Sequence, residues 1–242
     1  MFILDNVEKY YGNVCVLKDI SCEIPTDGLV VLMGPSGSGK STLLRLLSLL
    51  ETPDRGNVRL KLNGQEFESQ KMIRPWPQVT CVFQKQFLWP HLTLHENIAL
   101  PLLTARVPHA NNKVKAVIDL FDMSSFVDRY PNEVSGGQAQ RAALARALVL
   151  DPKLILIDEP HSGLDLAQQK ILNDYLIKLR QSGVALIIVT HSLEFALRYA
   201  DRVVVVEDGT IKDIGDKRIF HTPQSSYLRR AVELSQAIRK AD

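Results

Sequence analysis

Cysteine is scarce in this sequence: Cys15, Cys22 and Cys81 are the three in 242 residues. No two form a CxxC pair and one is left over, which argues against a disulfide framework and a zinc site and fits a reducing compartment. An excess of one charge sign is also lacking. Lys plus Arg is 29 and Asp plus Glu is 27, for a net charge of +2, so no global footprint for nucleic acid or a membrane surface is visible. No apolar run approaches the roughly 18 residues of a membrane span; the richest, Leu43 to Leu50, is broken by Arg45 and Ser48. Met1-Phe2-Ile3-Leu4-Asp5 carries no basic region, long apolar core or cleavage site, so no signal peptide is expected. Internal repeats and low-complexity tracts are missing. What remains is an ordinary globular balance of 45% hydrophobic and 23% charged residues, which excludes disorder and a fibre. The length suits one large domain or one domain with an inserted lobe.

Several short apolar runs read as strands buried on both faces: Leu29 to Met33, Val79 to Phe83, Leu154 to Ile157, Ala185 to Val189 and Val203 to Val206. Helical patterns such as Ala139 to Leu150 and Ala167 to Leu179 lie between them, which predicts an α/β core with a mainly parallel sheet. Met1 to Glu8 and Val14 to Ile24 alternate more. Val58 to Leu62 alternates strictly before Asn63-Gly64, so these segments predict antiparallel strands beside the core. From about Phe87 to Tyr130 the apolar spacing is helical, punctuated by Pro90, Pro101 and Pro108. The expected organisation is a core with its antiparallel β subdomain over 1–86 and 135–242, and a helical subdomain over 87–134.

Gly34-Pro35-Ser36-Gly37-Ser38-Gly39-Lys40-Ser41-Thr42 fits G-x-x-x-x-G-K-[ST] between the strand Leu29 to Met33 and an apolar helix, Thr42 to Leu50. Glycines let the backbone bend so that successive N–H groups point at phosphate oxygens, and the helix N-terminus adds partial positive charge. Lys40 can reach the outer phosphates and Ser41 can ligate Mg²⁺. A second element, Leu154-Ile155-Leu156-Ile157-Asp158-Glu159-Pro160, is a buried strand ending in two carboxylates, at the edge where open α/β sheets bind ligands. Asp158 can hold Mg²⁺ through its water shell, and Glu159 can accept a proton from an attacking water. Phosphoryl transfer needs positioning, charge neutralisation and an oriented nucleophile, and these residues supply all three.

Val134-Ser135-Gly136-Gly137-Gln138, followed by Arg141 and Ala142 to Leu148, resembles the signature of ATP-binding cassette (ABC) ATPases, and the resemblance runs over nearly the whole chain. By that resemblance Tyr11 stacks on adenine, Gln84 is the Q-loop residue and a further Mg²⁺ ligand, Asp165 belongs to the D-loop Ser162-Gly163-Leu164-Asp165, and His191 is the switch histidine. Taken alone, Tyr11 is also a strand aromatic with Tyr10 as alternative stacker, Gln84 a surface glutamine, and His191 a cap for the helix starting near Ser192. The other histidines, His91, His95, His109, His161 and His221, show no metal-ligand pattern. Three positions depart from the family pattern: Val134 for Leu, Gly163 for a common Ala, and His161 where Thr is frequent. Ser135 reads as an N-cap whose following glycines leave N–H groups open, a second anion cradle on one chain. In the family that cradle closes on the ATP of a partner copy, so a head-to-tail dimer is implied.

The resemblance implies an ATP- and Mg²⁺-dependent ATPase energising a transporter, with membrane permease subunits as partners and a solute-binding protein acting indirectly. Its place is then the cytoplasmic face of the inner membrane, peripherally bound, with no nucleic-acid partner. The segment Phe83 to Asn97, with Trp89-Pro90-His91-Leu92-Thr93, is similar to bacterial polar amino acid importers; no regulatory barrel follows by residue 242. The stretch Gln65 to Gln78, with Pro75-Trp76-Pro77, differs from that subgroup. The alternatives are the ATPase of a lipid or lipoprotein transport complex, or a soluble non-transport cassette. Phe87, Leu88 and Trp89 are expected to receive a permease helix, or to be core of the helical lobe.

Overall fold

The computed structural model describes residues 1–69, 71, 74–108 and 110–241. The chain divides into two compact units, Met1–Pro75 with Leu186–Asp242, and Trp76–Ala185.

The first unit begins with β1 (Phe2–Tyr11) and β2 (Val14–Ile24), followed by β3 (Leu29–Met33), α1 (Lys40–Leu47), β4 (Arg55–Leu62) and β5 (Gln65–Glu68). The strands β2-β1-β4-β5 form an antiparallel sheet in that order. Its β4–β5 register places Leu62 opposite Gln65. That is the two-residue hairpin expected of Asn-Gly, and Asn63 and Gly64 take φ of 51° and 76°. Phe2, Leu4, Val58 and Leu60 alternate inward and are essentially inaccessible, while Arg59 faces out and donates to Asp5 Oδ2 at 2.7 Å.

The second unit contains β6 (Val79–Val82), α2 (Leu94–Thr104), α3 (Ala110–Leu120), α4 (Gly136–Leu148), β7 (Leu154–Asp158) and α5 (Leu166–Gln181). Strands β6 and β7 are parallel, Val79 opposite Leu154 and Val82 opposite Ile157. Its apolar interior joins Leu94, Ile98 and Leu102 of α2, Val114 of α3, and Leu144 and Ala145 of α4. Phe121 packs on Tyr175 with ring centroids 5.0 Å apart.

The chain returns to the first unit through β8 (Ala185–Val189), α6 (Leu193–Tyr199), β9 (Arg202–Glu207), β10 (Thr210–Gly215) and α7 (Ser226–Ala241). In this unit β3 lies between β8 and β9, parallel to both. Strand β10 closes the edge antiparallel to β9. Every residue of β3 and β8 is buried, as unbroken Val, Ile and Leu runs require when both faces are covered. The fold is therefore α/β, with an antiparallel subdomain and a helical part. The apolar strand runs fall where the pattern predicted them, with ends shifted by one residue or so. Helix α4 begins at Gly136, three residues before the expected Ala139, because its cap, not its apolar stripe, sets the start. Strand β10 escaped the pattern reading: only Asp213 on it is buried, so it shows no apolar alternation.

Candidate functional site

In the first unit the loop after β3 is held by backbone contacts that only one residue type allows. Gly34 has φ +146°, and a Cβ there would stand 1.9 Å from Val206 O; any side chain would have to push β9 aside. Ser38 N donates to Pro35 O at 3.2 Å, and Gly209 N donates to Ser38 O at 3.2 Å. Lys40, at the first position of α1, is 5% exposed, and its Nζ donates to Pro35 O at 2.7 Å. The ammonium is thus folded back over its own loop. Ser38 Oγ is buried and meets no partner among the described residues, so the loop carries a spare hydroxyl of the kind a phosphate oxygen satisfies. Ser41 is half-buried beside Lys40, and Thr42 is buried.

Two other expected residues belong to the same unit. Tyr11, at the end of β1, is 43% exposed. Its hydroxyl donates to Glu51 Oε2 at 2.7 Å, and the Lys9 ammonium lies 5.8 Å from its ring centroid. Tyr10 is tied elsewhere: its hydroxyl donates to Glu8 Oε2 at 2.8 Å, and that bond pushes its pKa up to about 12. His191 is exposed just after β8. It does not cap α6, because Ser192 holds that position and accepts from Phe195 N at 3.1 Å. That removes the structural reading a lone histidine here invites.

In the second unit β7 ends on Asp158, which is buried, and the chain turns sharply at Glu159, whose φ is +46°. A non-glycine residue in this region stores strain of about 1–3 kcal/mol. Gln84 Nε2 donates to Glu159 Oε2 at 3.3 Å and to Ser162 Oγ at 3.4 Å. The Gln84 amide and the carboxylate after β7 are therefore neighbours. His161, the departure from Thr, has its Nε2 2.6 Å from Asn173 Oδ1, which pins the turn to α5. Burial pushes its imidazole pKa down, against the smaller opposing effect of Asn173, so the ring is neutral at pH 7. Asp165 caps α5, accepting from Gln168 N at 2.8 Å.

Ser135 forms a capping box with Gln138: Gln138 N donates to Ser135 Oγ at 3.3 Å, and Ser135 N donates to Gln138 Oε1 at 2.9 Å. Gly136 has open space where a Cβ would be, and a Cβ on Gly137 would touch the Gln168 side chain at 3.2 Å. This cradle is exposed and lacks a lysine in its first turn.

Sequence reasoning missed the residues that hold the segment after Gln84. Arg146 reaches back from α4, donating through Nη1 to Phe87 O and through Nη2 to Gln86 O, both at 2.8 Å. Phe87 itself has φ +48°. Asn97, fully buried on α2, donates to the carbonyls of Trp89, Leu92 and Thr93 and accepts from Trp89 N. With its backbone so organised, the loop presents Phe87 at 60% and Trp89 at 51% exposure; Leu88 is half-buried. The signal for Arg146 was an arginine inside the apolar run Ala142 to Leu148. Asn97 gave none, since an asparagine reads as surface until its partners are known.

Among the described residues no group of three or more His, Cys, Asp or Glu side chains forms a metal site, and no helix is long and apolar enough to cross a membrane. His109 lies outside the described residues.

Comparison with known proteins converges on one family. The family model described as ABC transporter matches residues 17–162, more than half of the chain. The chain is 40% identical over 230 residues to the sulfate/thiosulfate import ATP-binding protein CysA of Synechocystis, covering 93% of this chain and 64% of that protein. It thus spans about two thirds of the length of several such relatives. It is 41% identical over 236 residues to the "probable sulfate/thiosulfate import ATP-binding protein CysA" of Chlorella vulgaris, covering 96% of this chain and 98% of that one. A spermidine/putrescine import ATP-binding protein of Oleidesulfovibrio alaskensis is 38% identical over 240 residues, covering 96% of this chain and 62% of its own length. Among solved structures, a dimeric ATP-binding cassette in a post-hydrolysis state bound to ADP and Pi aligns with a TM-score of 0.79 at 30% identity, over 89% of this chain and 98% of its own. With the phosphate loop, the acidic strand end and the capped signature helix all in place, the chain belongs to the ABC transporter family of ATPases, as its ATP-binding domain.

Proposed function

We propose that this chain hydrolyses ATP to energise an importer of a small oxyanion, with sulfate and thiosulfate as the first cargo to test. The observation that carries the ATPase reading is the Gln84–Glu159 neighbourhood beside a buried β7 carboxylate. Glu159 accepts the proton of the attacking water, and Gln84 orients that water. Lys40 supplies counter-charge to the β- and γ-phosphates, the loop from Gly34 to Thr42 binds them through backbone N–H groups, and Tyr11 supports adenine. His191 reads the γ-phosphate after β8.

The family resemblance assigns Mg²⁺ to three oxygen donors, the Ser41 hydroxyl in the first unit and the Asp158 carboxylate and Gln84 amide oxygen in the second, the ligand chemistry of a hard cation bound by one or two carboxylates plus nucleotide phosphates. When bound, Mg²⁺ neutralises charge on the phosphate oxygens.

The cargo reading rests on the relatives. The named matches import sulfate/thiosulfate or polyamines, and none of them is a polar amino acid importer, so the cargo suggested by Trp89-Pro90-His91-Leu92-Thr93 gives way. That motif belongs to the docking loop, which meets the permease and not the cargo. The permease helix docks on Phe87 and Trp89. The subunit then sits peripherally on the cytoplasmic membrane face, as two head-to-tail copies, with a solute-binding protein acting from the far side.

The test is reconstitution with a sulfate/thiosulfate permease and its solute-binding protein. ATPase stimulated by sulfate- or thiosulfate-loaded binding protein is the expected result. Stimulation by spermidine or glutamine instead overturns the cargo. Trp89→Asp is expected to leave basal ATPase of the isolated subunit within about twofold, because an exposed side chain contributes little to folding, and to abolish stimulation by the permease. Normal stimulation in Trp89→Asp places the docking surface elsewhere.

A further inference from the structure

In the first unit the segment 51–54, which follows α1, reaches Tyr11 in two ways. Glu51 Oε2 accepts from the Tyr11 hydroxyl at 2.7 Å. The Arg45 guanidinium, on α1, stands 3.7 Å from Glu51 Oε1, so Glu51 is itself steered. Lys9 Nζ donates to Thr52 O at 2.9 Å, and Asp54 Oδ2 lies 3.4 Å from the same ammonium. That ammonium sits over the Tyr11 ring, 5.8 Å from its centroid. The backbone ties the segment to β1 as well: Asp54 N donates to Glu8 O at 2.9 Å, and Tyr10 N donates to Asp54 Oδ2 at 2.7 Å.

A tyrosine at a strand end samples several rotamers unless something holds it. Here the hydroxyl end is tied and one ring face is covered, yet 43% of the residue stays exposed. Surface ties of this kind contribute little to stability. Their larger consequence is a ring already oriented when a ligand arrives, which removes part of the cost of ordering it on binding. Helix α1 starts at Lys40 and ends at Leu47, so one helix joins the phosphate loop to the segment that frames the ring.

We propose that Glu51 is a positioning residue for the nucleobase: it fixes the Tyr11 ring so that adenine stacks on the face away from Lys9. The proposal rests on the reading of Tyr11 as the adenine contact. Glu51 acts through the Tyr11 hydroxyl and not on the nucleotide directly, so its loss should change how the base is held and leave the phosphates alone.

The experiment is an equilibrium titration of the full chain with a non-hydrolysable ATP analogue and, separately, with inorganic tripolyphosphate. Tyr11→Phe removes the hydroxyl and keeps the ring, while Glu51→Leu removes the acceptor. Each should weaken binding of the analogue about two- to tenfold, the range expected when one side chain must be ordered on binding. The double variant should bind no more weakly than either single one, since both break the same bond. Glu51→Gln keeps an acceptor oxygen and should stay within about twofold of the unaltered chain. Tripolyphosphate affinity should be unchanged in all of these variants. Additive losses in the double variant, or tripolyphosphate weakened alongside the analogue, would show that Glu51 serves the fold and would overturn the proposal. Tyr11→Phe loses a single oxygen and tests the bond even if Glu51→Leu fails to fold; full analogue affinity in Tyr11→Phe overturns the proposal too. Tyr11→Ala separates the two readings. If Tyr11→Ala weakens the analogue while Tyr11→Phe and Glu51→Leu do not, adenine stacks on Tyr11 and Glu51 has no part in placing it. If Tyr11→Ala also binds normally, the adenine assignment itself fails, and this proposal with it.

Discussion

The two helix N-termini proposed to hold phosphate, before α1 and before α4, are built in opposite ways. The loop before α1 is tight: Gly34 leaves no room for a Cβ and Lys40 is 5% exposed. The turn before α4 is open: Ser135 is exposed, and Gly136 has empty space where a Cβ would be. The first brings its own cation, and the second brings only a hydroxyl and backbone N–H groups. A cradle with a buried lysine and a preformed backbone can bind phosphate alone. One without a cation, lying open at the surface, is a half-site that gains strength when something closes over it. The contrast therefore predicts unequal roles, the first for binding and the second for completing a site on another copy.

The largest effect is expected where chemistry, not binding, is removed. Glu159→Gln keeps size and the contact with Gln84 but loses the proton acceptor, and loss of a general base costs about 10²–10⁴ in rate. ATP affinity should survive, and the ATP-bound dimer should accumulate on gel filtration. Near-normal turnover in Glu159→Gln would remove it as the base.

Next comes the asymmetry of the cradles. Lys40→Ala should abolish nucleotide binding by the chain itself, seen as a flat titration with a fluorescent ATP analogue. Ser135→Arg fills the open cradle with a large cation and should leave that binding intact while hydrolysis stops. Mixing the two inactive variants should restore activity, because the Lys40 of one copy and the Ser135 of the other then serve one ATP. Activity independent of protein concentration, with no rescue on mixing, would mean that the two cradles do not belong to a composite site.

How much of this was legible in the sequence follows from how local each feature is. The phosphate loop was readable because its glycines and Lys40 act within nine residues of one another. The hairpin at Asn63-Gly64 was readable for the same reason. Ser135 was recognised as a cap, since a cap needs only Gln138 three residues on. Residues that act across long sequence gaps were not readable. Arg146 holds carbonyls 59 and 60 residues away, and Asn173 meets His161 a few helical turns along. The buried Asp213 of β10 accepts from Gln224 N and Ser225 N, a role that no period-two pattern encodes. Polar residues that organise loops from inside look like surface residues until the fold brings their partners to them.

A smaller effect is expected at the edge of the tight cradle. Tyr11 is exposed, its hydroxyl is tied to Glu51 and the Lys9 ammonium lies over its ring, so a base would stack on the ring face away from Lys9, and loss of the ring leaves the phosphate contacts alone. Tyr11→Ala should weaken ATP binding by about 1–3 kcal/mol on the base–aromatic scale and leave inorganic phosphate inhibition unchanged. Unchanged ATP affinity would shift the adenine contact to Tyr10 or to no aromatic.

The smallest effect separates the two things Ser135 does. Its Oγ caps α4 by accepting from Gln138 N, and as the open cradle's hydroxyl it is assigned to phosphate. Ser135→Ala removes both and should lower stability by about 1 kcal/mol, the usual cost of losing a cap, read as a fall of a few degrees in Tm for a chain of this size. Ser135→Asp keeps the cap, because a carboxylate serves that position as well as a hydroxyl and suits the positive end of the helix. It should therefore hold stability within a few tenths of a kcal/mol. The same carboxylate repels a γ-phosphate, so ATPase should be lost in Ser135→Asp although the fold is intact. If Ser135→Asp is stable and fully active, the residue is a cap and nothing more, and the open cradle does not meet nucleotide. If Ser135→Ala is inactive without losing stability, the hydroxyl serves phosphate and the capping bond contributes nothing measurable to the helix.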